Sequence, residues 1–229
     1  MPNRPGQCTI AAMALSRWPL ADLRLQTPGL ELRWPSTEDL GALAELAALG
    51  VHDPRVQPFM IAWTDTSPDE RARSTLQYHW SRWGSWQPTD WTLELVVVRD
   101  GVVVGSQGVG GRDFAVLREV STGSWLGRHY QGRGIGTQMR AAVLHLAFEG
   151  LKARRAVSAA FEDNAASLAV SRKLGYRDDG TEWHVVRGRP AVVRRLRLTR
   201  ADWQATRTIP VQIHGLEPCL PHFGLPPED

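Results

Sequence analysis

The sequence feature that most constrains the fold is a glycine-rich turn between a strand and a long helix, in residues 119–137. Val120, Thr122 and Trp125 are residue types that favour β-structure, so residues 120–125 predict a strand. After Gly136, apolar residues recur at helical spacing over 139–147. Such a turn directs backbone N–H groups and the positive end of a helix at one point, so the sequence predicts a phosphate site there.

The composition narrows the class of protein. The 229 residues, 42% hydrophobic and 22% charged, suit one domain with a buried core. Apolar runs stay below the roughly 20 residues of a membrane span, and the N-terminus lacks a signal-peptide pattern, so we expect a cytoplasmic protein without membrane contact. Cys8 and Cys219 lie in opposite terminal segments, which favours neither disulfides nor a metal site. A net charge of +3 argues against nucleic acid and favours a small anionic ligand.

Proline-rich segments without periodicity divide the chain into three parts. We expect an N-terminal arm at residues 1–28, a domain at 29–203 and a C-terminal tail at 204–229. Within the domain, residues 52–66 combine prolines with aromatic side chains. That stretch predicts a packed loop and a candidate substrate wall.

Two helices are predicted in the first half of the domain. Ser36 and Ser67 each precede a helical pattern and are the expected N-caps. In the second helix Leu76, Trp80 and Trp83 recur at helical spacing, so we expect them to share its buried face.

Turn signals predict the strand connections. Asp100-Gly101 separates two β-rich runs, which indicates an antiparallel hairpin, and residues 187–190 indicate a second one. The strand, helix and strand within residues 119–161 form a crossover unit, which favours parallel pairing of its two strands.

Three phosphate-binding motifs compete for the glycine-rich turn. A P-loop needs a lysine after its last glycine, where this chain has Thr137. A dinucleotide fingerprint needs G-x-G-x-x-G with an acidic residue beyond the next strand, whereas here the spacing is G-x-G-x-G and Glu149 lies at the helix end. The third pattern, Q/R-x-x-G-x-G/A, matches residues 131–136 throughout.

On this motif the chain resembles the GNAT superfamily of acyl-CoA-dependent N-acetyltransferases. The order of predicted elements agrees over most of the domain, and residues 161–167 and 173–176 resemble the family's next strand and helix. Residues 27–33 resemble the opening strand of the Rim-type ribosomal-protein-alanine acetyltransferases. The resemblance implies an α+β fold with flanking helices and a mixed, mostly antiparallel sheet. Its parallel central strands would splay apart near residues 120–126 and 156–161.

The resemblance also implies acetyl-CoA, or another acyl-CoA or pantetheine thioester, as co-substrate, and no metal. The turn's N–H groups would hold the pyrophosphate, and two backbone positions of the preceding strand would pair with the pantetheine amides. Asn164 would bond near the thiol, although it is also explained as a helix N-cap. The implied binding positions are Ser124, Leu126, Gln131, Gly132, Arg133, Gly134, Gly136, Thr137 and Asn164.

The catalytic side chains are less clearly marked. Ser171 occupies the position where many family members have a tyrosine acid, and Ser167 matches a serine thought to protonate the thiolate in the ribosomal-protein branch. Ser167 is also explained by a first helical turn that needs a polar side chain. Ser121 stands where the resemblance implies an acidic base, which leaves His184 as a candidate base, since histidine is the side-chain type suited to proton transfer near neutral pH.

These residues predict an N-acetyltransferase in which an amine attacks the thioester directly. The expected acceptor is a primary amine of a small molecule or a peptide N-terminus, and the expected assembly is a monomer or homodimer. Two alternatives stay open: a donor bound to an acyl carrier protein, or a non-catalytic CoA-binding module. An aromatic wall of the acceptor pocket would come from among Trp63, Trp80, Trp83, Trp86 and Trp91.

Overall fold

The computed structural model describes residues 17–226, which form one nine-stranded sheet with flanking helices. The strands are β1 (Arg24–Thr27), β2 (Leu30–Arg33), β3 (Asp90–Arg99), β4 (Val102–Arg112), β5 (Glu119–Leu126), β6 (Arg155–Phe161), β7 (Arg177–Val186), β8 (Arg189–Thr199) and β9 (Gln212–His214). Their order is β7-β8-β6-β5-β4-β3-β2-β1-β9. Only the β5–β6 pair is parallel, so the predicted mixed, mostly antiparallel α+β fold is confirmed.

Six α-helices flank the described sheet. They are α1 (Thr37–Ala48), α2 (Pro68–Gly84), α3 (Phe114–Leu117), α4 (Ile135–His145), α5 (Ala165–Lys173) and α6 (Arg200–Thr206). Ser36 and Ser67 cap α1 and α2 with complete capping boxes, which confirms both predicted starts. Among the described residues, none of the helices is long and apolar enough to cross a membrane.

The buried face of α2 differs from the predicted one. Thr75 and His79 are buried, whereas Trp80 is 53% exposed. Thr75 and His79 each come one residue before a position predicted to be buried, Leu76 and Trp80. The helix therefore turns a different face toward the sheet than the one predicted. The tryptophan spacing misled the prediction because aromatic side chains can lie partly exposed on a helix surface.

Both predicted hairpins are present. Asp100 and Gly101 have φ angles of 51° and 78°, and they join β3 to β4. Arg187 and Gly188, with φ angles of 48° and 73°, join β7 to β8. These positive φ values are what a two-residue hairpin turn requires.

The sheet extends beyond the expected domain limits at both ends. β1 precedes residue 28 and pairs with both β2 and β9, the latter from the expected tail. Beyond β9, the segment Glu217–Phe223 is a 3-10 helix whose Cys219 and Phe223 are fully buried. Residues 1–16 of the expected arm, including Cys8, lie outside the described residues.

Candidate active site

A cleft opens where the two parallel strands separate. β5 and β6 pair only at residues 119–121 and 155–157, after which β5 continues to Leu126 and β6 to Phe161. A cavity of about 1280 Å³ fills the gap. It is lined by β5, by the glycine-rich turn, by the start of α5 and by the loop after α1. The predicted splay of the central strands is therefore confirmed.

The glycine-rich turn presents free backbone N–H groups to this cavity. Gly132 and Gly134 have φ angles of 74° and 79°, and Gly134 is the N-cap of α4. A side chain at such φ values costs about 1–2 kcal/mol. The N–H groups of residues 132–136 have no backbone acceptor within residues 17–226, whereas Thr137 N–H donates to the Gly134 carbonyl at 3.1 Å. The free groups therefore lie at a helix N-terminus, the kind of position that stabilises an anion.

The Gln131 side chain ties this turn to its surroundings. Its Nε2 donates to the Val51 carbonyl at 2.6 Å and to the Leu126 carbonyl at 3.0 Å. The carboxamide therefore links the end of β5 to the loop after α1. Ser124 and Leu126 lie on the part of β5 that no longer pairs with β6.

Asn164 and Ser167 lie together at the start of α5 and line the same cavity. Asn164 is the helix N-cap, and its Oδ1 accepts from Ser167 N–H at 3.1 Å. The cap uses the amide oxygen of Asn164 and leaves its nitrogen available. Among the described residues, the Ser167 hydroxyl has no hydrogen-bond partner.

Ser171, predicted as a candidate acid, does not reach the cavity. Its side chain is fully buried. Its Oγ accepts from Arg140 Nη1 at 2.8 Å and donates to the Ser167 carbonyl at 3.1 Å. Because the proton is used within α5, the hydroxyl is not available to a leaving group in the cleft.

His184, the predicted base, lies on β7 with its Nε2 3.4 Å from Glu182 Oε2. Glu182 lines the cavity, whereas His184 does not. The structure therefore places the histidine beside the cleft rather than in it.

Comparison with known families places this arrangement in context. The family model described as an acetyltransferase (GNAT) domain matches residues 29–177. The chain belongs to the GNAT acetyltransferase family. The predicted resemblance is therefore confirmed at the level of the family.

Structures similar to this GNAT domain include Rim-type proteins. Mycobacterium smegmatis RimJ in complex with CoA-disulfide has a TM-score of 0.65 and 21% identity, over 82% of this chain and 95% of RimJ. RimL, a ribosomal L7/L12 alpha-N-protein acetyltransferase in complex with coenzyme A, has a TM-score of 0.61 and 22% identity, over 76% of this chain and 95% of RimL. The ribosomal-protein-S5-alanine acetyltransferase of Vibrio fischeri has a TM-score of 0.60 and 17% identity, over 79% of this chain and 98% of that protein. At these identities the similarity establishes the shared fold.

Two charged residues of this GNAT domain are buried, which the sequence did not predict. Arg140 on α4 is 5% exposed and contacts Ser171, and burial lowers its pKa. Glu94 on β3 is 8% exposed, and burial raises its pKa to about 7. Both lie in apolar patterns that predict only a helix or strand, so their positions became visible only after folding.

The loop after α1 closes one side of the cavity. Phe59 packs against Trp63 at 5.2 Å between ring centroids, and Trp63 against Trp125 of β5 at 5.7 Å. Of the other tryptophans predicted for an aromatic wall, Trp86 and Trp91 are buried in the core. The loop, with Phe59 in the cavity lining, is thus the aromatic side of the cleft.

The β7–β8 turn contacts the same loop. Arg187 donates from Nε and Nη2 to the Asp65 carboxylate at 2.9 and 2.5 Å, and from Nη1 to the Pro54 carbonyl at 3.1 Å. The guanidinium beside Asp65 lowers the pKa of that carboxyl group. Two segments far apart in sequence thereby meet next to Asp53 and Val56, which line the cleft.

Proposed function

We propose that this GNAT domain transfers an acyl group, in the first instance acetyl, from acyl-CoA to a primary amine by direct attack. The observation that carries the proposal is the row of free N–H groups at residues 132–136 at one end of a cleft that leads to Asn164 and Ser167. The similarity in fold to RimJ and RimL, both described in complex with CoA or its disulfide, supports the same ligand.

Each part of the cleft has a role in this proposal. The N–H groups of Gly132, Arg133, Gly134 and Gly136 hold the pyrophosphate, because they are unpaired and lie at the positive end of α4. The Thr137 N–H is already paired, so Thr137 contributes through its place in the cavity wall. Gln131 acts through the turn that it holds.

The inner part of the cleft binds the thioester arm. The backbone of Ser124 and Leu126, on the unpaired edge of β5, bonds the pantetheine amides as an added strand would. The Asn164 side-chain nitrogen bonds near the thioester. Ser167, half-buried in the cavity wall with its hydroxyl unpaired among the described residues, donates a proton to the departing thiolate.

Calorimetry with CoA tests the binding site. We expect wild-type protein to bind CoA and Gly134→Trp to lose about 100-fold in affinity, or about 2.7 kcal/mol. Gly101→Trp is the matched control, because Gly101 has a φ of 78° and, like Gly134, open space where a Cβ would lie. Absence of wild-type binding, or equal loss in both variants, would contradict the proposal.

Thiol release with a panel of amines tests the reaction. The panel contains an alanine-initiated peptide, spermidine, an aminoglycoside and free amino acids. Turnover of any of them excludes a purely CoA-binding role. Comparing acetyl-CoA with an acetylated carrier protein then identifies the donor, and the fastest amine identifies the acceptor class.

A further inference from the structure

A buried acidic side chain lies in one row of the sheet with two glycines, the second of which lines the cleft. In the sheet, Glu94 of β3 pairs with Gly108 of β4, and Gly108 pairs with Gly123 of β5. Residues directly opposite one another in neighbouring strands project from the same face. Because the other two members are glycines, this row itself places no side chain between Glu94 and Gly123.

The carboxylate itself lies over the middle glycine. A Cβ added to Gly108 would lie 2.5 Å from Glu94 Oε1 and 2.9 Å from Oε2. Gly123 lines the cavity, and a Cβ added there would meet nothing within 4 Å. The carboxylate is therefore about one strand spacing, roughly 4.8 Å, from an open position in the cleft.

Hydrogen bonds from neighbouring side chains hold the Glu94 carboxyl group in place. Tyr78 of α2 donates to Oε1 at 2.7 Å, and Ser106 of β4 donates to Oε2 at 3.3 Å. Within the described part of the chain Glu94 forms no salt bridge, and Arg82 of α2 is the cation that acts on it from a distance. Desolvation dominates and raises the pKa of Glu94 to about 7, while Tyr78, Ser106 and Arg82 oppose that rise.

We propose that Glu94 is the general base of the acyl transfer, taking the proton of the acceptor amine through one water bound beside Gly123. This role rests on the proposed function above. Two hydrogen bonds of about 2.8 Å, bent at the water, span the roughly 4.8 Å between the carboxylate and the cleft. Ser121, where the family resemblance implies an acidic residue, cannot supply this base, and Glu94 supplies it from two strands away.

The acceptor ammonium group loses two protons in the reaction, one before the attack and one as the amide forms. The ammonium form of the acceptor gives one proton through the water to the Glu94 carboxylate, which releases it to solvent after turnover. The neutral amine nitrogen attacks the thioester carbonyl, the carbon–sulfur bond breaks, and the thiolate takes a proton from Ser167. The second amine proton, lost as the amide forms, restores the Ser167 hydroxyl. The products are the amide, CoA thiol and one proton in solution.

The test compares pH profiles of kcat with acetyl-CoA and the fastest amine of the panel. In wild type we expect the profile to have an ascending limb, a rise of kcat with pH through about 7, since the base must be ionised. Glu94→Gln should lower kcat at pH 7 by about 100-fold and remove this limb, with the CoA Kd unchanged. Tyr78→Phe should move the limb to higher pH, because the tyrosine hydrogen bond holds the Glu94 pKa down.

Controls separate this role from folding and from the proposed function. Glu45→Gln, an exposed position on α1, should leave the profile unchanged. Gly108→Ala, which displaces the carboxylate, should lower kcat while CoA still binds. A Glu94→Gln enzyme that keeps the wild-type limb and a kcat within about twofold would overturn the proposal for Glu94 alone. CoA binding without wild-type turnover of any amine would instead remove the acyltransfer function, and the base with it.

Discussion

His79 is a buried histidine that makes stability depend on pH. It is 1% exposed on α2, its Nδ1 has no partner among the described residues, and burial lowers its pKa to about 4. The unfolded chain, with a pKa of 6.5, binds the proton first as pH falls. The stabilisation is therefore complete above pH 6.5 and is lost as pH falls toward 4.

We expect this effect to amount to about 3 kcal/mol, since each pKa unit corresponds to about 1.4 kcal/mol. The free energy of unfolding in urea, measured at pH 7.5 and 4.5, should fall less in His79→Leu than in wild type. His129→Leu, at an exposed position, serves as the control and should follow wild type. Parallel pH dependence of wild type and His79→Leu would contradict this, because it would mean that His79 takes up its proton equally readily in the folded and unfolded states.

At the scale of elements, a contact joins the β7–β8 turn to the loop of residues 51–66, the loop that closes one side of the cleft. Arg187 bonds both Asp65 and the Pro54 carbonyl, so one side chain holds two points of that loop. The side chains are partly exposed, so screening by water keeps the contribution modest. We therefore expect the contact to affect the position of the loop more than the stability of the fold.

Replacing Arg187 with Gln should therefore raise the KM for the amine by about two- to fivefold and leave the CoA Kd unchanged. Hydrogen exchange of residues 51–66 should become faster in the same variant. Arg189→Gln, at an exposed position of the same hairpin, is the matched control. If both variants exchange like wild type, the loop is held by its aromatic packing alone.

The elements that sequence predicted well have local causes. The capping boxes at Ser36 and Ser67 and the hairpin turn at Asp100 involve residues within a few positions of one another. The glycine-rich turn is similarly local, because its φ angles and the start of α4 depend on the same short segment. Such features are specified before tertiary packing forms.

The features that sequence missed depend on distant partners. The burial of Ser171 depends on Arg140, which is 31 positions away. The alignment of Glu94 with Gly108 and Gly123 depends on the register of two strand pairings, which no local pattern specifies. The three-residue strand β9 is too short to show a period of two and exists because β1 offers an edge.

At the scale of the whole molecule, strands from the two terminal segments, β1 and β9, form the edge of the sheet that lies away from the cleft. β9 pairs with β1, and the 3-10 helix beyond it places Phe223 in the main core. Phe223 packs edge to face on Trp91 at 4.8 Å, and Trp86 Nε1 donates to the neighbouring His222 carbonyl at 2.9 Å. The C-terminal segment is therefore part of the folding unit.

Phe223→Ala should lower the free energy of unfolding by about 3–5 kcal/mol, because it removes a fully buried aromatic ring and leaves a cavity. The urea midpoint should fall while the CoA Kd of the folded protein stays unchanged, since Phe223 does not line the cleft. Leu49→Ala, at a side chain that is 78% exposed, should shift the midpoint little. A loss below about 1 kcal/mol for Phe223→Ala would show that the C-terminal segment folds apart from the sheet.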